Sequence, residues 1–252
     1  MRKGSAVPIT LLNRRGYASD WKRSLKNREP GSRKALGFPH CAAASREVDM
    51  DSIEGFILTG GASSRMGSDK AQLTIGANSF VELIATALGA IAHRIRSVGK
   101  PAVAGSPLGL PNVPDIYPQW GALGGLHAAL AACTTPWAAV VACDLPFVTG
   151  ALFQRLATLR DDFDAVVPVQ SDGRVQPLCA LYRCQPCFPQ TGKLIAAGER
   201  RPRALLTLVR TRWVPEAQLG DLDGAADFFA NVNTPQDYMR ARALAASPPA
   251  EN

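Results

Sequence analysis

Apolar and polar residues alternate along this chain in blocks whose spacing switches between that of a strand and that of a helix. Short apolar runs predict strands at residues 56–58, 95–98, 103, 137–142, 165–169, 176–182 and 228–232. Apolar residues three or four positions apart predict helices at residues 80–92, 123–132 and 151–159. The chain therefore alternates strand and helix, which is typical of an α/β protein.

Three segments refine this prediction. The nearly continuous apolar run at 137–142 indicates a central parallel strand that is covered on both faces. Residues 171–174 have the composition of a hairpin turn between two strands. Thr234 and Pro235, followed by Asp237, predict the start of a helix with a capping box. We therefore expect a doubly wound, mostly parallel, Rossmann-like sheet with an antiparallel hairpin insertion, which binds ligands at the carboxyl ends of its strands.

Net charge divides the chain unevenly. The whole chain has 252 residues, 46% of them apolar, and a formal net charge of +7. Residues 1–50 hold 11 Lys and Arg against 4 Asp and Glu, which accounts for all of this net charge. We expect residues 1–50 to be a disordered basic arm or a mis-assigned start, with a transit peptide as a further alternative. Residues 51–246 are then one domain and 247–252 a flexible tail. We expect no membrane span and no nucleic-acid partner, because the apolar runs are short and residues 51–252 carry no net charge.

Six cysteines and three histidines carry little chemistry in this pattern. Cys133 and Cys143 lie in apolar runs and are predicted to be buried thiols. Cys184 and Cys187 form an isolated C-x-x-C, which is weak evidence for zinc or redox use. His127 is predicted to be a packed or solvent-facing side chain rather than part of a catalytic pair.

A glycine-rich loop follows the first predicted strand. Residues 58–70 have the sequence LTGGASSRMGSDK, in which Gly60 and Gly61 allow the backbone to approach a ligand and Arg65 and Lys70 add positive charge. This pattern predicts a nucleotide triphosphate site, although it is neither a P-loop nor a dinucleotide fingerprint. The alternative is a mobile Gly/Ser turn.

Acidic residues follow two other predicted strands. Asp144 comes directly after the run at 137–142 and would meet the glycine loop at the same edge of the sheet. Because Mg²⁺ takes one or two protein carboxylates together with phosphate oxygens, we predict that Asp144 is a magnesium ligand, with a helix or turn cap as the alternative. Asp115 is either part of the nucleotide site or an ordinary residue before a turn.

The order of these motifs resembles the molybdenum cofactor guanylyltransferase family. The glycine loop at 58–70, the turn WGALGG at 120–125, the segment CDLP at 143–146 and the segment NVNTP at 231–235 all match, as does AGERR at 197–201. The resemblance covers residues 54–240 and implies a fold of the nucleotide-diphospho-sugar transferase type. It also implies transfer of GMP from GTP to molybdopterin, with release of pyrophosphate and Mg²⁺ as cofactor.

The same resemblance assigns roles to single residues. It implies that Leu58, Thr59, Gly60 and Gly61 border the guanine and ribose, and that Lys70, Asp115 and Asp144 also bind the nucleotide. Arg65, Lys70 and Asp144 are the implied catalytic residues. Asn231 and Asn233 are the implied contacts on the pterin side.

The sequence departs from the family pattern at two positions. Gln176 stands where a His often precedes the proline, and Ala122 stands where a Pro is usual. Alternative functions are a cytidylyltransferase or a sugar-phosphate nucleotidyltransferase of the same fold, or a non-catalytic molybdopterin carrier. As partners the resemblance implies GTP and molybdopterin, with molybdenum-insertion proteins and apo-molybdoenzymes as further candidates, and it implies a cytoplasmic location.

Overall fold

Seven strands form one sheet in the computed structural model, which describes residues 52–60, 73–99 and 109–246. In chain order the strands are β1 (Ile53–Leu58), β2 (Thr74–Ile75), β3 (Asn78–Ser79), β4 (Ile95–Val98), β5 (Asn112–Val113), β6 (Trp137–Ala142), β7 (Ala165–Val169), β8 (Cys179–Arg183) and β9 (Thr211–Pro215). The large sheet has the order β5-β4-β1-β6-β8-β7-β9, and β2 pairs with β3 separately. Only β8 runs antiparallel to its neighbours in the large sheet, so the predicted fold class is confirmed.

Five α-helices connect these strands within the described residues. They are α1 (Phe80–Leu88), α2 (Ala122–Ala132), α3 (Gly150–Thr158), α4 (Cys184–Ala196) and α5 (Pro235–Ala246), and two short 3-10 segments span Pro202–Thr207 and Glu216–Gln218. None of the helices in the part of the chain that the structure describes is long and apolar enough to cross a membrane.

The apolar core lies on both faces of the sheet, as a doubly wound fold requires. Alternate residues of β1 point to opposite faces: Ile53 and Ile57 pack with α1 and α3, whereas Phe56 and Leu58 pack with α2 and α4. Strand β6 is buried over nearly its whole length, pairing in parallel with β1 and antiparallel with β8. The continuous apolar run therefore does mark a central strand.

Side-chain caps fix where two helices begin. Ser79 caps α1 in a capping box, because its hydroxyl accepts from the Glu82 amide at 3.3 Å and the Glu82 carboxylate accepts from the Ser79 amide at 2.6 Å. At α5 the Thr234 hydroxyl accepts from the Asp237 amide at 3.1 Å, and Asp237 accepts from the Thr234 amide at 2.9 Å. The predicted start of α5 is confirmed.

The strand predicted at 228–232 is wrong. Phe228 and Phe229 are buried in the core, but the segment is irregular: the Ala230 amide bonds to the Asp227 carbonyl at 2.9 Å, closing a turn. The Val232 amide bonds to the Asp144 carbonyl at 2.9 Å instead of to a strand neighbour. The apolar run reflects burial beneath a loop, not strand pairing.

Several elements are missing from the sequence-based prediction, namely the helix α4, the strands β5 and β9, and the β2–β3 hairpin. The predicted strand at 176–182 begins later, at Cys179, after a bridge between Val169 and Val175. The strand predicted at 103, the arm 1–50 and the tail 247–252 lie outside the described residues.

Candidate active site

Four parallel strands end side by side at one edge of the sheet. Leu58, the last residue of β1, pairs with Val98 of β4 on one side and with Ala142 of β6 on the other, and Val98 pairs with Val113 of β5. The residues that follow these strands therefore lie together, and they include Thr59, Gly60, Gly99, Asp115 and Asp144. Open α/β sheets bind ligands at this edge.

Two glycines and an aspartate form the tightest contact of this edge. A Cβ atom added to Gly99 would lie 3.0 Å from both the N and the Cα of Gly60, so the two backbones touch in a way that only glycine permits. The φ angle of Gly99 is +96°, which also favours glycine. The Asp115 carboxylate oxygen Oδ2 lies 3.5 Å from the Cβ positions of both glycines. Asp115 thus covers the junction of the β1 and β4 ends.

Burial raises the pKa of Asp115 above its usual value. A carboxylate that is partly withdrawn from water is stabilised by a nearby positive charge. The Asp115 carboxylate, which lies against exposed Gly60, is therefore suited to bind a cation or a hydrogen-bond donor of a ligand.

The side chains of Leu58 and Thr59 face inward. Leu58 is 5% exposed. A Cβ atom added to Gly125 of α2 would lie at an ordinary packing distance from the methyl carbons of Leu58. The Thr59 hydroxyl donates to the Val98 carbonyl at 3.0 Å and is buried. Of the predicted guanine-side residues that are described, Gly60 alone is exposed, so Leu58 and Thr59 would offer backbone atoms only.

Asp144 lies next to the segment that holds both asparagines. The Asp144 carbonyl accepts from the Val232 amide at 2.9 Å, and Val232 is buried between Asn231 and Asn233. Asn231 is half-buried and Asn233 is exposed, and the backbone N–H of Asn233 donates to the Asp237 carboxylate at 3.1 Å. The fold therefore brings the CDLP and NVNTP segments together, although 87 positions separate Asp144 from Asn231 in the sequence.

The donor set of this edge fits a magnesium ion bound with a nucleotide. Among residues 52–60, 73–99 and 109–246 no group of three or more His, Cys, Asp or Glu side chains could hold a metal by itself. One or two carboxylates, supplemented by phosphate oxygens and water, are what Mg²⁺ ordinarily takes from a protein. Asp144, which directly follows β6, and Asp115, which follows β5 and lies against Gly60 and Gly99, are the carboxylates of this edge that meet this description.

Gln176 reaches the same edge from the antiparallel hairpin. The hairpin joins the carboxyl end of β7 to β8, and the Leu178 carbonyl accepts from the Ala142 amide at 2.8 Å. Gln176 is buried, and its side-chain Nε2 donates to the side-chain Oε1 of Gln170 at 2.5 Å. The residue that departs from the family pattern is thus held in place by its own loop.

The WGALGG turn has a packing role that sequence reasoning missed. A Cβ on Gly124 would lie 2.9 Å from the Trp120 Cβ and 3.3 Å from the Tyr117 carbonyl oxygen, and Gly125 lies against Leu58. These glycines allow the first turn of α2 to pack directly on β1 and on the preceding loop. Gly99 was missed as well, although a glycine directly after a strand was its signal.

The AGERR segment is fastened to this same loop. The Trp120 indole donates to the Glu199 carbonyl at 2.9 Å, and the Arg200 guanidinium lies 4.7 Å from the Trp120 ring centroid. Hydrogen bonds from the Arg201 side chain and then from backbone amides lower the pKa of Glu199 to about 2. An ionised Glu199 therefore orders the turn that carries both arginines.

Gly61, Arg65 and Lys70 lie outside the described residues, so their predicted roles stay predictions. His127 is confirmed as a packed side chain: it is buried, its Nδ1 lies 2.8 Å from the Thr191 hydroxyl, and its ring stacks on Phe188 with centroids 4.8 Å apart.

The sequence-family model of the MobA-like NTP transferase domain matches residues 55–215 of this chain. The chain belongs to the MobA-like NTP transferase family. It is therefore a nucleotidyltransferase, and the matched range runs from β1 through β9.

Relatives within this family match over nearly their whole length. A probable molybdenum cofactor guanylyltransferase of Pelotomaculum thermopropionicum is 34% identical over 191 residues, which cover 76% of this chain and 92% of the relative. One of Chloroflexus aggregans is 34% identical over 198 residues, covering 76% of this chain and 94% of the relative.

Solved structures share the fold of this MobA-like chain. The molybdopterin-guanine dinucleotide biosynthesis protein A of Archaeoglobus fulgidus superposes with a TM-score of 0.64 at 23% identity, covering 76% of this chain and 97% of that one. The 2-C-methyl-D-erythritol 4-phosphate cytidylyltransferase of Thermus thermophilus superposes with a TM-score of 0.56 at 18% identity, covering 76% and 98%. At these identities the likeness shows the fold alone.

Proposed function

We propose that this protein transfers GMP from GTP to molybdopterin and releases pyrophosphate. The observation that carries the proposal is the junction at the ends of β1, β4 and β5, where Asp115 lies over the touching backbones of Gly60 and Gly99. Relatives named as guanylyltransferases, which match over nearly their full length, supply the nucleotide and the acceptor.

The nucleotide binds at the glycine junction in this proposal. Gly60 is exposed and carries no side chain, so a flat purine ring or a ribose can approach its peptide group closely. Asp115 lies beside that position, and its carboxylate can accept a hydrogen bond from the ligand or contribute to a metal site. We propose that Gly61 also borders the nucleotide and that Lys70 and Arg65 bring positive charge to the triphosphate.

The chemistry requires few protein groups. The terminal phosphate oxygen of molybdopterin forms a bond to the α-phosphorus of GTP, and the bond from that phosphorus to the bridging oxygen breaks. Pyrophosphate leaves with the electron pair. A phosphate monoester with a second pKa near 6 is already mostly ionised at neutral pH, so no dedicated general base is needed.

Rate then depends on alignment and on neutralising negative charge. Asp144 would hold Mg²⁺ at the carboxyl end of β6, with Asp115 as a second carboxylate at the same edge of the sheet. When bound there, Mg²⁺ supplies charge stabilisation to the transferred phosphoryl group and to the leaving pyrophosphate. Arg65 and Lys70 add fixed positive charges from the glycine loop.

The acceptor lies on the other side of Asp144 in this proposal. Asn231 and Asn233 flank Val232, whose amide bonds to the Asp144 backbone, so amide groups for a pterin would stand beside the reacting phosphates. Gln176 borders the same edge, and its side chain is engaged by Gln170. We propose the Asn pair as the pterin contacts.

The remaining partners and the location are also proposals. GTP and molybdopterin are the small-molecule partners that guanylyl transfer requires. Delivery of the product to molybdenum-insertion proteins or apo-molybdoenzymes, and a cytoplasmic site of action, follow from the family resemblance.

Pyrophosphate release tests the proposed function. The full chain is mixed with GTP, MgCl₂ and molybdopterin, and pyrophosphate is measured with a coupled assay. We expect release that needs all three components and that falls by at least about 10³-fold in Asp144→Asn, since a lost metal ligand removes several kcal/mol of charge stabilisation. Asp172→Asn, in an exposed turn, is the matched control and keeps full activity. Acceptor binding without any pyrophosphate release would instead identify a molybdopterin carrier.

A further inference from the structure

Two cysteines that are far apart in the sequence meet at the edge of the sheet opposite the active site. Cys133 ends α2, and Cys184 is the first residue of α4. Trp137, the first residue of β6, pairs with Arg183, the last residue of β8, and the Cys184 amide donates to the Pro136 carbonyl at 2.9 Å. Sheet pairing thus holds Cys184 against the turn that begins at Cys133.

The two cysteines flank the same turn. The Cys133 thiol donates to the carbonyl oxygens of Thr135 and Trp137, each at 3.4 Å, so its sulfur lies in the turn to which the Cys184 amide is bonded. The nearness of the two thiols lowers the pKa of Cys133 and raises the pKa of Cys184. Both side chains are half-buried, so the prediction that Cys133 is a buried thiol is wrong, and a small molecule in solution can reach both residues.

The C-x-x-C spacing is not what makes this pair. Cys187 is fully buried, and its thiol donates to the Asp164 carbonyl at 3.3 Å. Burial raises the pKa of Cys187 to about 12, which keeps it protonated and unreactive. Of the thiols in the described residues, Cys133 and Cys184 are the two that lie at the same end of β6 and are only half-buried.

Their environment favours one thiolate. The neighbouring Cys184 thiol lowers the pKa of Cys133 to about 7, with a smaller contribution from Thr135, although burial and the nearby Glu54 carboxylate oppose this. The proton that Cys184 shares makes that thiol harder to ionise, so its pKa is raised. Because the thiolate is the nucleophile in thiol chemistry, Cys133 attacks first and Cys184 acts second.

We propose that Cys133 and Cys184 are a redox-active pair that closes reversibly to a disulfide on reaction with a low-molecular-weight disulfide. The Cys133 thiolate attacks one sulfur of oxidised glutathione, forming a mixed disulfide and releasing one glutathione thiolate. The Cys184 sulfur then attacks the Cys133 sulfur, loses its proton to solvent, and displaces the second glutathione. Two protein thiols are oxidised and one glutathione disulfide is reduced to two thiols.

The bridge would join the end of α2 to the start of α4 without touching the active site. Cys133 and Cys184 lie at the amino end of β6, and Asp144 follows its carboxyl end. The six-residue strand therefore separates the cysteines from Asp144, and its first and last Cα atoms are roughly 17 Å apart at about 3.3 Å per step. We therefore expect oxidation to stabilise the fold and to leave catalysis unchanged. A disulfide that closes the loop of chain between Cys133 and Cys184 should raise Tm by about 5 °C or more.

Oxidation of the full chain in glutathione redox buffer tests the pair, with Cys41→Ser as the background to remove the cysteine outside the described residues. We expect loss of two alkylatable thiols, a mass lower by two hydrogens, a cross-linked peptide that joins Cys133 to Cys184, and full reversal by dithiothreitol. In Cys184→Ser the reaction should stop at a glutathione adduct on Cys133. The matched control Cys187→Ser should still form the bridge.

Three results would overturn the proposal. The first is a cross-link that maps to Cys184 and Cys187, and the second is retention of both thiols in strongly oxidising buffer. The third is a stable glutathione adduct on wild-type Cys133, which would show that Cys184 cannot resolve it. A mapped bridge that lowers Tm or changes the kcat/KM for GTP would contradict the assignment of the bridge to a remote stabilising site.

Discussion

Replacement of Gly99 by alanine is the sharpest structural test of the proposed nucleotide site. The new Cβ would lie 3.0 Å from the N and Cα of Gly60, which is closer than such contacts ordinarily come. Because both neighbours are backbone atoms, the ends of β1 and β4 must move apart by a few tenths of an ångström. That movement displaces Gly60 relative to Asp115, whose Oδ2 lies 3.5 Å from the same Cβ position.

The expected magnitude has two parts. An alanine at a φ of +96° costs about 1–2 kcal/mol, and forcing a close-packed contact costs about 1–3 kcal/mol more. We therefore expect the free energy of unfolding to fall by about 2–5 kcal/mol. Since a displacement of about 1 Å at a reacting group can cost 10²-fold, a shift of a few tenths should lower kcat/KM for GTP about tenfold.

Gly76→Ala is the matched control, because Gly76 also has a positive φ, +61°, but a Cβ there meets nothing within 4 Å. It should lose about 1 kcal/mol in urea denaturation and keep its kcat/KM. If Gly99→Ala is destabilised but retains kcat/KM within about twofold, the contact between Gly60, Gly99 and Asp115 is not part of the nucleotide site. If Gly76→Ala loses as much activity, the loss reports stability and not position.

Two further predictions concern the packing that supports the site. Burial opposes ionisation of Glu54, but hydrogen bonds from Thr134 and Arg96 outweigh this effect and lower the pKa of Glu54 below its usual 4.5. The charge of Glu54 therefore stabilises the fold above pH 4.5, and this stabilisation is lost as the pH falls. Glu54→Gln should lower the free energy of unfolding by about 3 kcal/mol at neutral pH and by less in acid, and an equal loss at both would refute the assignment. Gly124→Ala should be less stable and less active, because its Cβ would lie 2.9 Å from the Trp120 Cβ. Gly192→Ala within α4, whose Cβ would lie an ordinary 3.6 Å from the His127 ring, should gain up to about 1 kcal/mol in stability. Equal thermal shifts in the two variants would contradict this packing.

Segments with a nearly unbroken apolar run were predictable from the sequence. β7 was predicted with the bounds that the structure has, and α2 to within one residue, because both are buried over most of their length. α4 was missed since it contains Pro186 and Pro189, which argue against a helix. Pro186 lies in the first turn, where its amide needs no partner, and packing of α4 on α2 offsets the bond that Pro189 removes.

Non-local contacts limited what could be said of the site. The acidic residues and asparagines were identifiable because each follows a recognisable run or motif. The approach of Gly60 to Gly99 was not, since it depends on β4 pairing beside β1. The inward orientation of Leu58 and Thr59 depends on α2 packing above them and on the Val98 carbonyl, neither of which a pattern of residues specifies.

Identification of the nucleotide product is the most direct measurement of the proposed activity. The full chain is incubated with molybdopterin, MgCl₂ and equal concentrations of GTP and CTP, and the pterin products are separated and weighed by mass spectrometry. We expect the guanine dinucleotide to dominate by about 10⁴-fold, because backbone groups that hydrogen-bond a guanine edge are left unpaired by cytosine. Equal amounts of the two dinucleotides, or an excess of the cytosine product, would contradict guanylyl transfer and identify a cytidylyltransferase.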